Sequence, residues 1–555
     1  MPDSLVLALA QLNPVVGAVM PNLDRVRAAR DQAAAGGADL LVCPELVLSG
    51  YPPEDLVYRR AFLEQVREAV TRLAGETGDG GPGVLLGVPW SEDDTRRNAA
   101  LLCDGGRVEA VRFKHHLPNY GVFDEARVFI PGPLPEPVRF RGLRLGVMVC
   151  EDMWFPDVAH HLAQGRAELL LVLNGSPFDL AKPEQRHHQA RARVTETGLP
   201  LVYVNQVGGQ DELVFDGASF VLDAQGRPAA GLPSWREAVA LTRWSRSGSG
   251  GWRCLGEPAP VSPPDAPGAI YQAMVLGLRD YVNKNGFPGV ILGLSGGIDS
   301  ALSAAVAVDA LGADRVLCAM MPSPYTSRDS LEDAAEVARL LGVRLETLSI
   351  EPAMGAFAAM LSGAFSGRTA DTTEENIQAR ARGITLMALS NKFGGMVLST
   401  GNKSEMSVGY ATLYGDMCGG FSVLKDVYKT AVFEVSRWRN AHHPEGGLGP
   451  EGPVMPERVI AKPPTAELKP NQTDQDTLPP YAELDAILSH FIEGELDVSE
   501  TIAMGHDRAT VVRVWHMLHR AEYKRRQGPP GVKITGRSFG RERRYPITNG
   551  YDPAR

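Results

Sequence analysis

The sequence predicts a layered α/β protein in two parts, and three observations lead there. Almost wholly apolar runs of strand length alternate with amphipathic helical stretches in both halves, as in sheets covered on both faces. A stretch rich in serine, glycine and proline interrupts that alternation near the middle of the chain. The second half also runs from a buried strand through a glycine-rich turn into a helix, the pattern of a doubly wound parallel sheet. At 555 residues the chain exceeds one ordinary core, so more than one domain is expected.

The first domain is expected over residues 1–230. Its strands are read at 5–12, 40–43, 84–88, 99–103, 143–150, 169–174 and 201–205, with helices at 23–35 and 183–198. A linker is expected over 231–266. Its first piece, Ser245-Arg-Ser-Gly-Ser-Gly-Gly251, is flexible, and its second, Glu257-Pro-Ala-Pro-Val-Ser-Pro-Pro-Asp-Ala-Pro267, is stiff. The second domain, 267–555, opens with a helix at 269–285. A strand at 289–294, a helix at 298–311 and strands at 316–320, 344–349 and 396–399 follow. Short helices near 482–491 and 508–525 close it.

Composition narrows the function. Hydrophobic residues make up 44% and charged residues 22%, the balance of a globular protein. The net charge of −10 argues against nucleic acid as a partner. No apolar run reaches the roughly 18 residues of a membrane span, and residues 1–11 lack the basic start of a signal peptide. Cysteines at 43, 103, 150, 254, 318 and 418 share no CxxC spacing, so reduced thiols and a cytoplasmic location are expected. Histidines fall in adjacent pairs rather than at i,i+4, and no transition-metal cage is expected.

Three strand ends of the first half carry reactive groups. Asp39-Leu-Leu-Val-Cys-Pro-Glu45 ends in a carboxylate, Val111-Arg-Phe-Lys114 in an amine, and Leu145-Gly-Val-Met-Val-Cys150 in a thiol. The carboxyl ends of strands gather side chains at one edge, where these three would meet. A thiolate attacks an amide carbonyl once a base, here Glu45, takes its proton. Lys114 would stabilise the oxyanion and help hold Cys150 ionised, and Glu125 would orient Lys114. Spacing alone leaves Cys150 equally readable as a buried core thiol, which is the reading for Cys43 inside its strand.

The segments Pro44-Glu-Leu-Val-Leu-Ser-Gly-Tyr-Pro-Pro-Glu-Asp-Leu56, residues 114–125 and Val149-Cys-Glu-Asp-Met-Trp154 resemble the glutamine-hydrolysing branch of the nitrilase superfamily. The resemblance spans most of residues 4–225. It implies an αββα sandwich, a Glu45–Lys114–Cys150 triad, and glutamine contacts from Tyr120, Ser176 and Lys182.

In the second half, Gly293-Leu294-Ser295-Gly296-Gly297-Ile298-Asp299-Ser300 joins a buried strand to a helix. Glycines let backbone N–H groups turn toward an anion at the helix N-terminus, and Ser295 and Ser300 add hydroxyls. The loop lacks the Gly-Lys-Ser/Thr ending of a Walker A loop, so it suits a pyrophosphate group, with Asp299 as an oxygen ligand for Mg²⁺. It resembles the loop of the ATP pyrophosphatases, in the adenine-nucleotide α-hydrolase-like fold, which use ATP to adenylate a carboxylate or carbonyl. Residues 323–334, 374–382 and 399–410, with Tyr414-Gly-Asp416 and Pro529-Pro-Gly-Val-Lys533, resemble the NAD synthetases.

Taken end to end, the chain is similar to the glutamine-dependent members of that family. The resemblance implies ATP contact by Thr400, contact with deamido-NAD by Asn376 and Lys533, and a role for Glu405 with Mg²⁺ or the dinucleotide. Glutamine, ATP and deamido-NAD are then the small-molecule partners, and a homo-oligomer is expected. Ammonia passing between the two sites needs shelter, because in neutral water it is mostly ammonium. Rival readings are another glutamine-fed adenylating ligase and a lone carbon–nitrogen hydrolase with a nucleotide-sensing module. The basic stretch 520–544, with nine Lys/Arg against two Glu, reads either as a solvated face or as phosphate contacts.

Overall fold

A computed structural model describes residues 3–92, 95–246, 251–255, 265–469 and 472–551. It divides into two compact units, Met1–Pro263 and Pro264–Arg555. Among the described residues, no helix is long and apolar enough to cross a membrane.

The first unit is built on two mixed sheets. One has the order Trp252–Leu255, Ala238–Arg246, Ser4–Gln11, Leu40–Val42, Gly83–Glu92, Thr95–Asp104, Arg107–Phe113. The other has the order Pro228–Gly231, Phe220–Leu222, Leu201–Asn205, Leu169–Asn174, Leu143–Val149, Val138–Phe140. Successive side chains of a strand point to opposite faces, and here both faces are buried. Leu7 and Leu9 of the first sheet, with Leu169, Leu171 and Leu173 of the second, fill one core between the sheets. Ala8 and Ala10 pack outward with residues of helices Val19–Ala35 and Arg60–Glu76. Leu170 and Val172 do the same with helices Pro156–Gln164 and Lys182–Thr197. The result is the expected helix–sheet–sheet–helix sandwich, and it explains why these strands read as unbroken apolar runs.

The linker expectation is corrected. Residues 238–246 form a strand that pairs antiparallel with Ser4–Gln11 along its whole length, and Trp252–Leu255 adds a further strand beside it. The period-2 signal was present, since Thr242 and Trp244 are buried while Leu241 and Arg243 are exposed. The Ser-Arg-Ser-Gly run that follows masked it. Most of the flexible and stiff linker motifs, at 247–250 and 256–264, lies outside the described residues.

The second unit carries a parallel sheet in the order Arg344–Thr347, Val316–Met320, Val290–Gly293, Met396–Ser399, Phe421–Ser422. The strand order reverses between Val290–Gly293 and Met396–Ser399. A crevice therefore opens at their carboxyl ends, where doubly wound sheets bind ligands. The basic stretch 520–544 divides: Lys533, Arg525 and Arg543 are buried and paired with Glu542 or Glu522, whereas Arg520, Arg526, Arg541 and Arg544 are exposed, as a solvated face requires.

Leu171 lies fully buried at the middle of the inter-sheet core. Leu171→Ala should destabilise the first unit by about 3 kcal/mol. The measurement is a denaturant midpoint that falls at unchanged slope.

Candidate functional sites

In the first unit, the three strand ends singled out in the sequence meet. Glu45 and Lys114 come from the first sheet and Cys150 from the second, so the meeting point lies where the two sheets face each other. The fully buried Lys114 ammonium donates to Glu45 Oε1 and to Glu125 Oε1, each at 2.8 Å. Asn98 donates to Glu45 Oε1 at 2.6 Å, Tyr51 donates its hydroxyl to Glu125 Oε1 at 2.8 Å, and the Gly175 N–H donates to Glu45 Oε2 at 2.9 Å. The backbone crowds Glu45 from behind: a Cβ on Gly87 would sit 2.6 Å from the Glu45 Cα. Glycine there lets the neighbouring strand approach closely.

Cys150 follows its strand directly and opens the turn Cys150–Met153 with φ of 44°, in the left-handed region. Such a conformation in a non-glycine residue is strained and clusters at functional sites. Asp152 holds the turn. Its Oδ2 accepts from Val149 N at 3.0 Å, and its Oδ1 accepts from His115 N and His116 N at 2.9 Å. One carboxylate thus ties the residue before the thiol to the two residues after the lysine. Burial lifts Asp152 to about 6, against the pull of those N–H groups.

The electrostatics revise one expectation. Burial, and then the Glu45 carboxylate, push the Cys150 thiol well above its usual range, outweighing the opposite pull of Lys114. This direction favours the neutral thiol, with the pull of Lys114 toward the thiolate the smaller influence. Burial by itself would lower Lys114, but Glu125 and Glu45 hold its ammonium well above the usual lysine range. Burial raises Glu125 to about 7 even with Lys114 beside it.

Around this set, the structure places the three residues expected to contact glutamine. Tyr120 is 51% exposed and donates its hydroxyl to both carboxylate oxygens of Glu151, at 3.0 and 3.1 Å. The Lys182 ammonium lies 4.5 Å from the centre of the Trp154 ring, with Cys150 and Glu151 among its electrostatic neighbours, and burial lowers its pKa. Ser176 is buried, accepts from Arg186 Nε at 3.0 Å and donates its N–H to Asn205 Oδ1 at 2.9 Å. Arg186 is in turn locked to Asp216 at 2.7 Å. Sequence reading missed Tyr51, Asn98, Asp152, Glu151 and Arg186. Tyr51, Glu151 and Asp152 stood inside the motif segments, whereas Asn98 and Arg186 carried no local signal.

In the second unit, a cavity of about 300 Å³ opens at the strand carboxyl ends. Gly293, Leu294, Ser295, Gly297, Ile298, Asp299, Ser300, Thr400 and Glu405 all line it. Gly296 stands behind the loop with φ of 83°, where a Cβ would fall 2.2 Å from Ser330 O. Ser295 N donates to Ser300 Oγ at 3.1 Å and Ser300 Oγ donates to Gly297 O at 2.9 Å, which closes the loop tightly. Asn402 links the two carboxylates: its side-chain NH₂ donates to Asp299 Oδ1 at 2.9 Å and its backbone N–H donates to Glu405 Oε2 at 3.3 Å. Lys429 pairs with Asp299 and lies 3.8 Å from Glu405. Burial, then the Asp299 charge, raise Glu405 to about 8.

Asn376 and Lys533 are not among the residues that line this cavity. Asn376 accepts from Thr412 at 2.9 Å, and Lys533 donates to Thr535 O at 2.5 Å and pairs with Glu542 at 3.2 Å. Lys429, Arg382 and Asp474 line it instead, and sequence reading had not singled them out.

A sandwich carrying a buried cysteine, lysine and glutamate, followed in one chain by a doubly wound nucleotide-type sheet, defines the class of two-part amidotransferases. The carbon–nitrogen hydrolase family matches residues 6–253 and the NAD synthase family residues 270–528. A glutamine-dependent NAD(+) synthetase of Rhodobacter capsulatus is 51% identical over 99% of both chains, and one from Acinetobacter baylyi is 46% identical over 99% of both. The solved structure of a glutamine-dependent NAD+ synthetase from Acinetobacter baumannii, in complex with ADP, matches with TM-score 0.78 at 45% identity, over 99% of both chains. The chain belongs to the glutamine-dependent NAD(+) synthetase family.

Lys114→Met should leave two buried carboxylates without their cation, a loss of about 3–5 kcal/mol at pH 8. Burial already holds Glu125 near 7, and losing the ammonium raises it further. The loss should therefore shrink as pH falls to about 5.5 and grow as pH rises through the folded Glu125 value. Denaturant midpoints at the two pH values check this, and a deficit independent of pH would contradict it.

Proposed function

We propose that this chain makes NAD from deamido-NAD, taking nitrogen from glutamine and cleaving ATP to AMP and pyrophosphate. Family membership supports the overall reaction. The observation that carries the residue roles is the buried Glu45–Lys114–Cys150 set at converging strand ends.

Because Cys150 rests as a thiol, its proton must leave as it attacks the glutamine side-chain carbonyl, and Glu45 is the base. Lys114, fixed between two carboxylates, stabilises the tetrahedral oxyanion. Glu45 returns the proton to the departing nitrogen, ammonia leaves, and a glutamyl thioester remains on Sγ. Glu45 then deprotonates a water that attacks the thioester, and glutamate and the free thiol result. Tyr120, Ser176 and Lys182 bind glutamine in this reading, with Arg186 holding Ser176 in place. Glu125 keeps Lys114 oriented.

In the second unit, residues 293–300 receive the ATP phosphates, aided by the first-turn N–H groups of helix Ile298–Leu311. Thr400 contacts ATP across the crevice. Asp299 and Glu405, both bonded to Asn402, are hard oxygen donors that would suit Mg²⁺ once the Lys429 ammonium between them gives way. When bound there, Mg²⁺ supplies neutralising charge to the phosphates. ATP converts the nicotinate carboxylate of deamido-NAD to its adenylate, releasing pyrophosphate, and ammonia displaces AMP to leave the amide. Asn376 and Lys533 are assigned to deamido-NAD on family resemblance. A cytoplasmic location belongs to the same reading. So does self-association: helix Glu351–Leu361 is largely apolar yet buries none of its residues, and Ile384, Met387 and Phe393 stand exposed on Thr372–Phe393.

The test supplies glutamine or an ammonium salt together with ATP, Mg²⁺ and deamido-NAD, and follows NAD, AMP and pyrophosphate. Cys150→Ala should lose glutamine-supported NAD formation by at least about a thousandfold while keeping ammonium-supported formation. Normal glutamine use by that variant would overturn the thiol assignment. Asp299→Ala should lose NAD formation with either nitrogen source, and retention with both would remove Asp299 from the reaction.

A further inference from the structure

At the rim of the thiol site, His115, His116 and Asp157 bring one ligand atom each within 4.8 Å of one another. We propose that these three side chains form a binding site for a zinc-class divalent cation. His116 Nε2 lies 2.9 and 3.0 Å from the two Asp157 oxygens, and His115 Nε2 lies 3.9 Å from Asp157 Oδ2. The tautomer of His115 is set by its other nitrogen. Nδ1 stands 2.8 Å from the Gly132 carbonyl, which can only accept, so Nδ1 carries the proton. In the neutral ring, Nε2 is then a lone-pair donor aimed at the cluster. A backbone carbonyl holding the far nitrogen is the usual support of a metal-bound histidine. The His116 ring is held by stacking on Phe155, with centroids 4.2 Å apart and planes 29° apart.

Two imidazoles and one carboxylate form the donor set of an open tetrahedral zinc site, with water in the fourth position. Bonds of about 2 Å in a tetrahedral site set ligand atoms about 3.3 Å apart, so His115 must move in while His116 and Asp157 part slightly. Both histidines are half-buried and Asp157 is exposed, so an ion can enter from solvent.

The site has a structural consequence. His115 and His116 directly follow Lys114, and Asp157 opens the helix Pro156–Gln164 that follows the Cys150–Met153 turn. Asp152 already joins these two segments from inside through backbone N–H groups. A bound ion joins the same segments from outside, giving the arms that carry the lysine and the thiol a second tie.

The experiment uses full-length protein carrying Cys150→Ala, which removes the nearest rival ligand. Co²⁺ is titrated as a coloured probe and then displaced with Zn²⁺. One Co²⁺ per chain is expected, with the visible ligand-field bands of a tetrahedral nitrogen–oxygen site, no thiolate charge-transfer band and full displacement by Zn²⁺. Asp157→Asn and His116→Gln, each checked for native circular dichroism, should weaken binding at least about tenfold. Zn²⁺ should raise the melting temperature of the Cys150→Ala parent and not that of the two further variants. A thiolate band, equal affinity in all three proteins, or no binding at micromolar metal would overturn the proposal.

Discussion

The buried Lys114 ammonium is the interaction around which the first unit is arranged. A charge with no solvent contact is tolerated only when its partners are close and themselves satisfied. Here that requires Glu45 and Glu125 on either side, Asn98 and Tyr51 donating to those carboxylates, and a glycine N–H completing Glu45. Burial, with the Glu45 charge adding to it, outweighs the pull of Lys114, which is why Glu125 sits near 7 rather than in the usual carboxylate range. Apolar side chains of similar volume would fold as stably or more so. The cluster therefore makes sense in the proposed function, where it supplies a base, an oxyanion partner and a thiol held in fixed relation.

Keeping that relation constrains the backbone as well. The thiol is lifted out of its strand by a left-handed residue at Cys150, and the carboxylate leaves its strand at Glu45 just before another, Leu46. Asp152 then couples the thiol's turn to the lysine's loop. The second unit solves a similar problem with less strain. Its parallel strands leave a crevice where their order reverses, and a glycine-rich loop leads into a helix N-terminus there. Asn402 and the Lys429 ammonium between them hold Asp299 and Glu405 side by side.

The difference shows in how legible each site is from residues alone. Loop 293–300 is contiguous, so its chemistry could be read from its own letters and from the strand and helix that flank it. The triad is spread over 106 positions, from Glu45 to Cys150, and spacing alone could not separate a nucleophile from a core thiol. Asn98 and Arg186 carried no signal because each acts through a partner far away in sequence, Glu45 and Asp216. The same holds for Asp157, which turns an adjacent histidine pair into a three-donor cluster only after folding. Strand 238–246 was hidden for a related reason: its pairing partner lies at the other end of the unit, and its local composition imitates a linker.

By itself, the sequence determined the two-part α/β architecture, most of the strand ends that bear chemistry, and the phosphate-type loop. Hydrophobic period, glycine placement and strand–turn–helix order are local properties, and they survive in one dimension. Only the tertiary structure decided which sheets bring Glu45, Lys114 and Cys150 together, that burial raises the Cys150 thiol, that Lys429 stands between Asp299 and Glu405, and that Arg525, Lys533 and Arg543 pair inside the fold. Each of those depends on desolvation and on charges brought together from distant segments. Both arise when the chain folds and leave no periodic trace in its letters.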